Sequence, residues 1–244
     1  MKTRLAKFIA DSGVASRREA EKLITDGTVF VNGEKITTPV FFVDGNEKII
    51  INGKPIAKVR DELYIFHKPI NTITSRSDPQ GRKTIYDILP KKYENLKYIG
   101  RLDYKTTGLL LMTTDGALAQ KMTLPSSGLK RVYIATLHPK NFAEIKSPAR
   151  AKALRGFLSP LNSGDEIFDT LRRGATIGKI KYEPMEIQVL TRYPLSIQIT
   201  LIEGKKNEIR LAMDWLGFMV KKLHRISYGK YQLNDLSVGE IKKV

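Results

Sequence analysis

The sequence contains no cysteine. This excludes disulfides, thiolate nucleophiles and cysteine-held zinc, and it argues against uridine methyltransfer through a cysteine. The three histidines, His67, His138 and His224, show no metal-ligand spacing and are expected to be structural or to face RNA. No metal site and no cofactor are expected. No apolar run approaches the length of a membrane span, and MKTRLAKFIADSG lacks the apolar core of a secretory signal, so a cytoplasmic location is expected. Acidic residues are also scarce, with 25 Asp+Glu against 42 Lys+Arg and a net charge of +17. Residues 1–60 hold eleven basic and seven acidic residues, so the excess runs along the whole chain rather than sitting in a tail. Such a balance points to a polyanionic partner, because neutralising phosphates releases counterions.

Residues 1–60 read as one small unit. Thr3 is expected to cap a first helix with Leu5, Phe8 and Ile9 inward and Gly13 past its end. Ser16-Arg17-Arg18-Glu19 is a capping box opening a second helix, buried through Ala20, Leu23 and Ile24 and stopped at Gly27. Asn32-Gly33 and Asn52-Gly53 are hairpin turns. Arg17, Arg18 and Lys22 fall on the outer side of the second helix, where a basic edge would face phosphates. Residues 59–62 read as a charged connection to a second unit, 61–244. There Leu63–His67 forms a strand ending at Lys68-Pro69, Ser75–Lys83 a polar loop with three basic residues, and Thr84 caps a short helix over Ile85–Leu89. Val132–Leu137, Ile187–Leu190 and Ser196–Ile202 are further strands. The expected class is α+β, with a mixed, mostly antiparallel sheet in the larger unit.

The most informative stretch is Gly100–Gly116. Alternation over Ile99–Asp103 predicts a strand with Arg101 and Asp103 on one face. Thr106-Thr107-Gly108 reads as a turn, Leu109–Met112 as a strand covered on both faces, and Thr114-Asp115-Gly116 as the cap of a helix over Ala117–Leu124. An aspartate fixed beside a tight turn and near a cation is a candidate nucleophile or base. Further on, Glu203–Arg210 reads as a strand end, a turn and a helix capped by Asn207, with Ile209, Ala212, Met213 and Leu216 inward and Gly217 at its end. Gly174–Lys179 has the wrong spacing and no Ser or Thr after its lysine, so it is not a phosphate loop.

Three of these segments carry a resemblance. GRLDYKTTGLLLMTTDG is similar to the signature of bacterial pseudouridine synthases, in particular the family that modifies ribosomal RNA and carries a small N-terminal RNA-binding domain. RLAKFIADSGVASRREAEKLITDGTVFVNGEKI resembles that small domain, often called alpha-L, first described in a small-subunit ribosomal protein. EGKKNEIR and Lys130-Arg-Val-Tyr133 resemble later segments of the same enzymes. The resemblance implies Asp103 as the catalytic aspartate and Tyr133 as a residue that stacks on the uracil and helps remove its C5 proton. It implies Arg210 as the partner of Asp103, Arg101 as the side chain that displaces the target base, and Ile209 as packing against that base. Arg4, Lys7, Arg17, Arg18 and Lys22 are implied to contact RNA backbone. The implied partner is ribosomal RNA, bound by a monomer. The Ser75–Lys83 loop running into TIYDILP, and Leu223–Gly229 following EGKKNEIR, look more like the large-subunit branch than the small-subunit branch. A small-subunit substrate and a non-catalytic RNA-binding protein are the alternatives. A DNA-binding regulator lacks a recognition-helix pattern here, and a glycosidase normally needs two carboxylates where only Asp103 is placed.

Overall fold

A computed structural model describes residues 2–57, 60–159 and 164–244; the first residue of the 59–62 connection therefore lies outside the described residues. The chain begins with β1 (Thr3–Arg4), α1 (Leu5–Asp11) and α2 (Arg17–Thr25). Short strands follow: β2 (Val29–Val31), β3 (Glu34–Ile36), β4 (Phe42–Val43), β5 (Ile49–Ile51) and β6 (Lys54–Ile56). Their apolar faces close one core, with Leu5, Ile9, Ala20, Ile24, Val29 and Ile49 essentially inaccessible. The capping box forms as expected: Ser16 accepts from the Glu19 amide, and Glu19 accepts from the Ser16 amide. Asn32-Gly33 and Asn52-Gly53 both adopt positive φ and turn the β2–β3 and β5–β6 hairpins. The start of α1 differs from expectation. Thr3 lies in β1, paired with Val43, and Arg4 occupies the cap position without a side-chain bond. Strand pairing with β4 has taken the residue that would otherwise cap.

The larger part continues with β7 (Leu63–Lys68), β8 (Lys97–Ile99), β9 (Thr107–Thr113), α3 (Gly116–Thr123), β10 (Arg131–Pro139) and α4 (Pro148–Leu158). Then come α5 (Asp169–Arg172), β11 (Ala175–Ile177), β12 (Ile180–Tyr182), β13 (Glu186–Arg192), β14 (Leu195–Leu201) and α6 (Glu208–Leu216). The chain closes with β15 (Phe218–Tyr228), β16 (Tyr231–Gln232) and β17 (Ile241–Lys243). The main sheet runs β13-β14-β10-β15-β9-β7-β17, with β8 added to β9 and β16 to β15. Every pairing is antiparallel except β15 with β9. The fold is α+β with a mixed, mostly antiparallel sheet.

The continuous run Leu109–Met112 is explained by burial on both faces. Leu110 and Met112 join the large core under α6, while Leu109 and Leu111 join a second core with Met122 and Tyr228. The parallel β9–β15 contact depends on Gly108, at φ 107°. A Cβ there would stand 2.2 Å from the Arg225 carbonyl oxygen, so no other residue fits this backbone crossing.

Four local expectations are corrected. β8 ends at Ile99, because Gly100 turns the chain at φ 68°, so Arg101 to Asp103 are loop rather than strand. The turn begins three residues earlier than expected, at Asp103–Thr106, closed by the Thr106 amide to the Asp103 carbonyl at 3.0 Å, and Thr107 and Gly108 already belong to β9. Ile85–Leu89 forms turns and no helix. Thr84 instead bridges to Ile73, and Asp87 accepts from both the amide and the hydroxyl of Thr84. Asn207 stands at the start of α6 in a left-handed conformation, φ 55°, without a side-chain cap bond.

Candidate active site

The loop after β8, α3, the start of β10, the end of β14, the middle of β15 and the first turn of α6 meet around a cavity of about 790 Å³. Asp103, Arg101, Tyr133, Ile209 and Arg210 all line it. They arrive from sequence positions more than a hundred residues apart because β10 and β15 pair at the sheet centre and α6 connects β14 back to β15. Arg101 is exposed, Asp103 half-buried, Tyr133 and Ile209 nearly inaccessible, and Arg210 half-buried.

The backbone carrying Asp103 is pinned from several sides. Thr74 and Leu102 exchange two hydrogen bonds, at 2.9 and 3.2 Å. The Asn71 amide donates to the Tyr104 carbonyl at 2.9 Å. The ammonium of Lys68, at the end of β7, donates to the carbonyls of Pro69, Asp103 and Thr106. Lys68 is fully buried, and burial pushes its ammonium down to about 8, partly opposed by the negative charge of Asp103. By contrast, the Asp103 carboxylate makes no hydrogen bond or ion pair among the described residues, which leaves both oxygens open to the cavity's contents.

Arg210 does not form the expected close ion pair. Its guanidinium donates to the Val220 carbonyl and to the Lys105 carbonyl, each at 2.9 Å. It therefore fastens α6 to the loop two residues beyond Asp103. Burial lowers its basicity and the charge of Asp103 acts in the opposite sense, so the two side chains interact at longer range.

Tyr133 sits opposite Arg225 at a bulge between β10 and β15. Bulges re-aim side chains beside sites. Arg225 is 2 % exposed, donates from Nε to the Leu109 carbonyl at 2.7 Å, and reaches the Tyr133 hydroxyl at 3.4 Å. Sequence reasoning missed Lys68 and Arg225. The signal for the first was a lysine ending an apolar strand run; for the second, an arginine at an inward position of β15.

The expected basic residues divide. Arg4, Arg17, Arg18 and Lys22 are exposed. Lys7 is partly committed, pairing with Asp11 at 2.6 Å, and Lys97 of β8 reaches the same carboxylate at 2.9 Å. Burial would raise Asp11, but the two lysines outweigh it and hold the carboxyl below its ordinary value. In the 75–83 loop only Lys83 is uncommitted. Arg76 donates to the Glu94 and Leu96 carbonyls and covers the Tyr86 ring, and Arg82 pairs with Asp78. His67 and His224 pack against each other and bond the Leu236 carbonyl and Thr107 hydroxyl, so both are structural. His138 is exposed. Among the described residues no cluster of side chains could hold a metal ion, and no helix is long and apolar enough to cross a membrane.

A small basic unit of two helices, joined to a domain whose acid-bearing cavity is walled by Arg101, Arg210, Lys205 and Lys206, defines an enzyme that works on a polyanion. Residues 62–215 match the RNA pseudouridylate synthase family and residues 3–49 match the S4 domain. Among similar proteins, an RNA pseudouridine synthase of Rickettsia conorii is 36 % identical over 99 % of this chain and 96 % of its own. The ribosomal large subunit pseudouridine synthase B of Bacillus subtilis is 31 % identical over 99 % of this chain and 91 % of its own. A solved pseudouridylate synthase shares the fold, with a TM-score of 0.64 at 24 % identity over 99 % of this chain and 95 % of its own. The chain belongs to the RNA pseudouridylate synthase family and carries an S4 RNA-binding domain. It is an isomerase that makes pseudouridine in RNA.

Proposed function

We propose that this enzyme isomerises one uridine of large-subunit ribosomal RNA, acting as a cytoplasmic monomer, with Asp103 as the catalytic group. The observation that carries this reading is the Asp103 carboxylate, without a partner among the described residues, on a backbone pinned from several sides and sharing one cavity with Tyr133, Ile209 and Arg210. A uridine stacked in folded RNA must be extruded to reach it, at a cost of roughly a few kcal/mol. Arg101, exposed at the rim, takes the space the base leaves. Tyr133 and Ile209 hold the uracil between an aromatic and an aliphatic face. Asp103 then attacks the sugar or the ring, or removes a sugar proton; the N1–C1′ bond breaks, the ring turns, and a C5–C1′ bond forms. The C5 proton is lost, with Tyr133 placed to assist, and N1 gains a proton. Atoms and charge balance without a redox partner or group donor, so the reaction needs no cofactor. Arg4, Lys7, Arg17, Arg18 and Lys22 hold the RNA backbone meanwhile.

The large-subunit assignment is supported by the name of the Bacillus subtilis relative and by the TIYDILP and Leu223–Gly229 segments. Carbodiimide mapping of both ribosomal RNAs from a deletion strain tests it, with rescue by wild type or by Asp103→Asn. Loss of one large-subunit site, restored by wild type but not by the variant, is expected. Loss from the small-subunit RNA alone overturns the substrate, and rescue by Asp103→Asn overturns the role of Asp103.

A further inference from the structure

Glu208 and Glu203 bracket the loop that forms one wall of the cavity, between the end of β14 and the start of α6. Glu208 is 4 % exposed. Its Oε2 accepts from the Lys205 amide at 2.8 Å, while Oε1 is buried with no N–H or hydroxyl donor among the described residues. Glu203 is better served: it accepts from the Glu183 amide at 2.8 Å and pairs with the Lys205 ammonium. The two carboxyl groups are within hydrogen-bonding reach of each other. Two carboxylates can share that contact only through a proton, and the proton belongs on the acid with fewer donors.

We infer that Glu208 is a positioning residue of this site: as a neutral acid it donates to the Glu203 carboxylate, clasps both ends of the 203–208 loop, and thereby fixes the first turn of α6, which carries Ile209 and Arg210. The inference rests on the proposed reading of the cavity as the uridine site. The surrounding groups agree with it. Glu203 faces Glu208 from the end of β14, Lys205 from the loop, and Tyr182 from β12, with the Lys205 ammonium 5.6 Å from the Tyr182 ring centre. Burial, then the neighbouring Glu203, push the Glu208 carboxyl up to about 8, whereas Lys205 and the Glu183 amide outweigh burial and hold Glu203 below its ordinary value. Above that pH a buried carboxylate and a half-buried one would face each other with one lysine between them. The clasp would then open, and Lys205, Lys206, Ile209 and Arg210 would lose their placement together.

Three proteins test this: wild type, Glu208→Gln and Glu208→Leu, each measured for pseudouridine formation and for thermal melting across pH. The glutamine amide can donate to Glu203 and accept from the Lys205 amide, but it does not titrate. Glu208→Gln should match wild type at neutral pH within about threefold, and its kcat should fall less than that of wild type as pH rises through about 8, where Lys68 titrates in both proteins. Glu208→Leu should lose roughly tenfold or more in kcat at every pH, with a smaller change in KM for RNA. The sign for stability follows from a raised acid. Its contribution is complete below the ordinary carboxyl value of 4.5 and is lost as pH rises toward 8. The melting advantage of Glu208→Gln over wild type should therefore grow across that window and level off above it. Parallel pH profiles for wild type and Glu208→Gln would overturn the inference. So would full activity in Glu208→Leu, or an inactive but folded Glu208→Gln. The melting arm uses no RNA, so a wild-type enzyme silent on ribosomal RNA would defeat the functional reading while the clasp is judged on melting alone.

Discussion

The ammonium of Lys68 lies under the loop that carries Asp103, donating to the Asp103 carbonyl at 3.3 Å and to the Thr106 carbonyl at 2.9 Å. The contact is to backbone, so it orients the aspartate without neutralising it. A lysine with no exposed surface is costly unless its donors are used, and here all three have carbonyl partners.

Lys68→Met keeps the stem and removes the donors. One buried and two half-buried carbonyls lose their partner, which should cost roughly 1–3 kcal/mol and lower kcat through a looser Asp103. The pH signature separates this from general damage. The folded lysine sits at about 8 against an ordinary 10.5, so the unfolded chain binds more protons between those values. Wild-type stability should gain with pH across that window relative to Lys68→Met. A constant difference between the two denaturation curves would place the lysine in an unperturbed environment.

Arg210→Ala should fold and bind RNA but lose roughly a hundredfold in kcat, because its two bonds, to Val220 and Lys105, set the distance between α6 and the Asp103 loop. Stopped-assay kinetics with tritium release from 5-tritiated uridine RNA measures this. A change confined to KM would make Arg210 an RNA-binding residue instead.

Gly108→Ala should destabilise by about 3 kcal/mol or more, lowering the melting temperature by roughly 6–12 °C. Both the positive φ and the 2.2 Å approach to the Arg225 carbonyl forbid a Cβ. Because Arg225 also reaches the Tyr133 hydroxyl, activity should fall further than stability alone explains. Wild-type melting in the variant would mean that β9 and β15 are not held in this register.

Much of this architecture was legible from local chemistry. The capping box at Ser16, the two Asn-Gly hairpins and the inward stripe of α6 follow from short-range rules that tertiary contacts did not disturb. The Asp103 segment was legible by motif but not by periodicity. Alternation over residues 99–103 suggested a strand, yet Gly100 breaks it, and the glycine at 108 that suggested a turn instead permits a parallel crossing. Lys68, Arg225 and the Glu203–Glu208 contact were missed for one reason: each is defined by burial or by its partners, and the strand positions of the first two say only that a cation faces inward, not what it bonds. The close Asp103–Arg210 pair was expected from resemblance, and backbone carbonyls won the guanidinium because they lie on both sides of it.

The S4 domain supplies the last prediction. Arg17, Arg18 and Lys22 are exposed on α2 and form no ion pair among the described residues, whereas Lys7 is tied to Asp11. Each free cation that neutralises a phosphate contributes roughly 0.7–0.9 to the slope of log affinity against log salt. Replacing Arg17, Arg18 and Lys22 together with alanine should therefore flatten that slope by about 2–3 and weaken binding most at low salt. Lys7→Ala should change it less, because Asp11 already offsets that charge. The same triple variant should keep its kcat at saturating RNA, since none of the three residues lines the cavity. Titration of a structured ribosomal RNA fragment at several salt concentrations measures the slope. An unchanged slope in the triple variant would remove the α2 edge from RNA capture, and a larger effect of Lys7→Ala would shift the contact to α1.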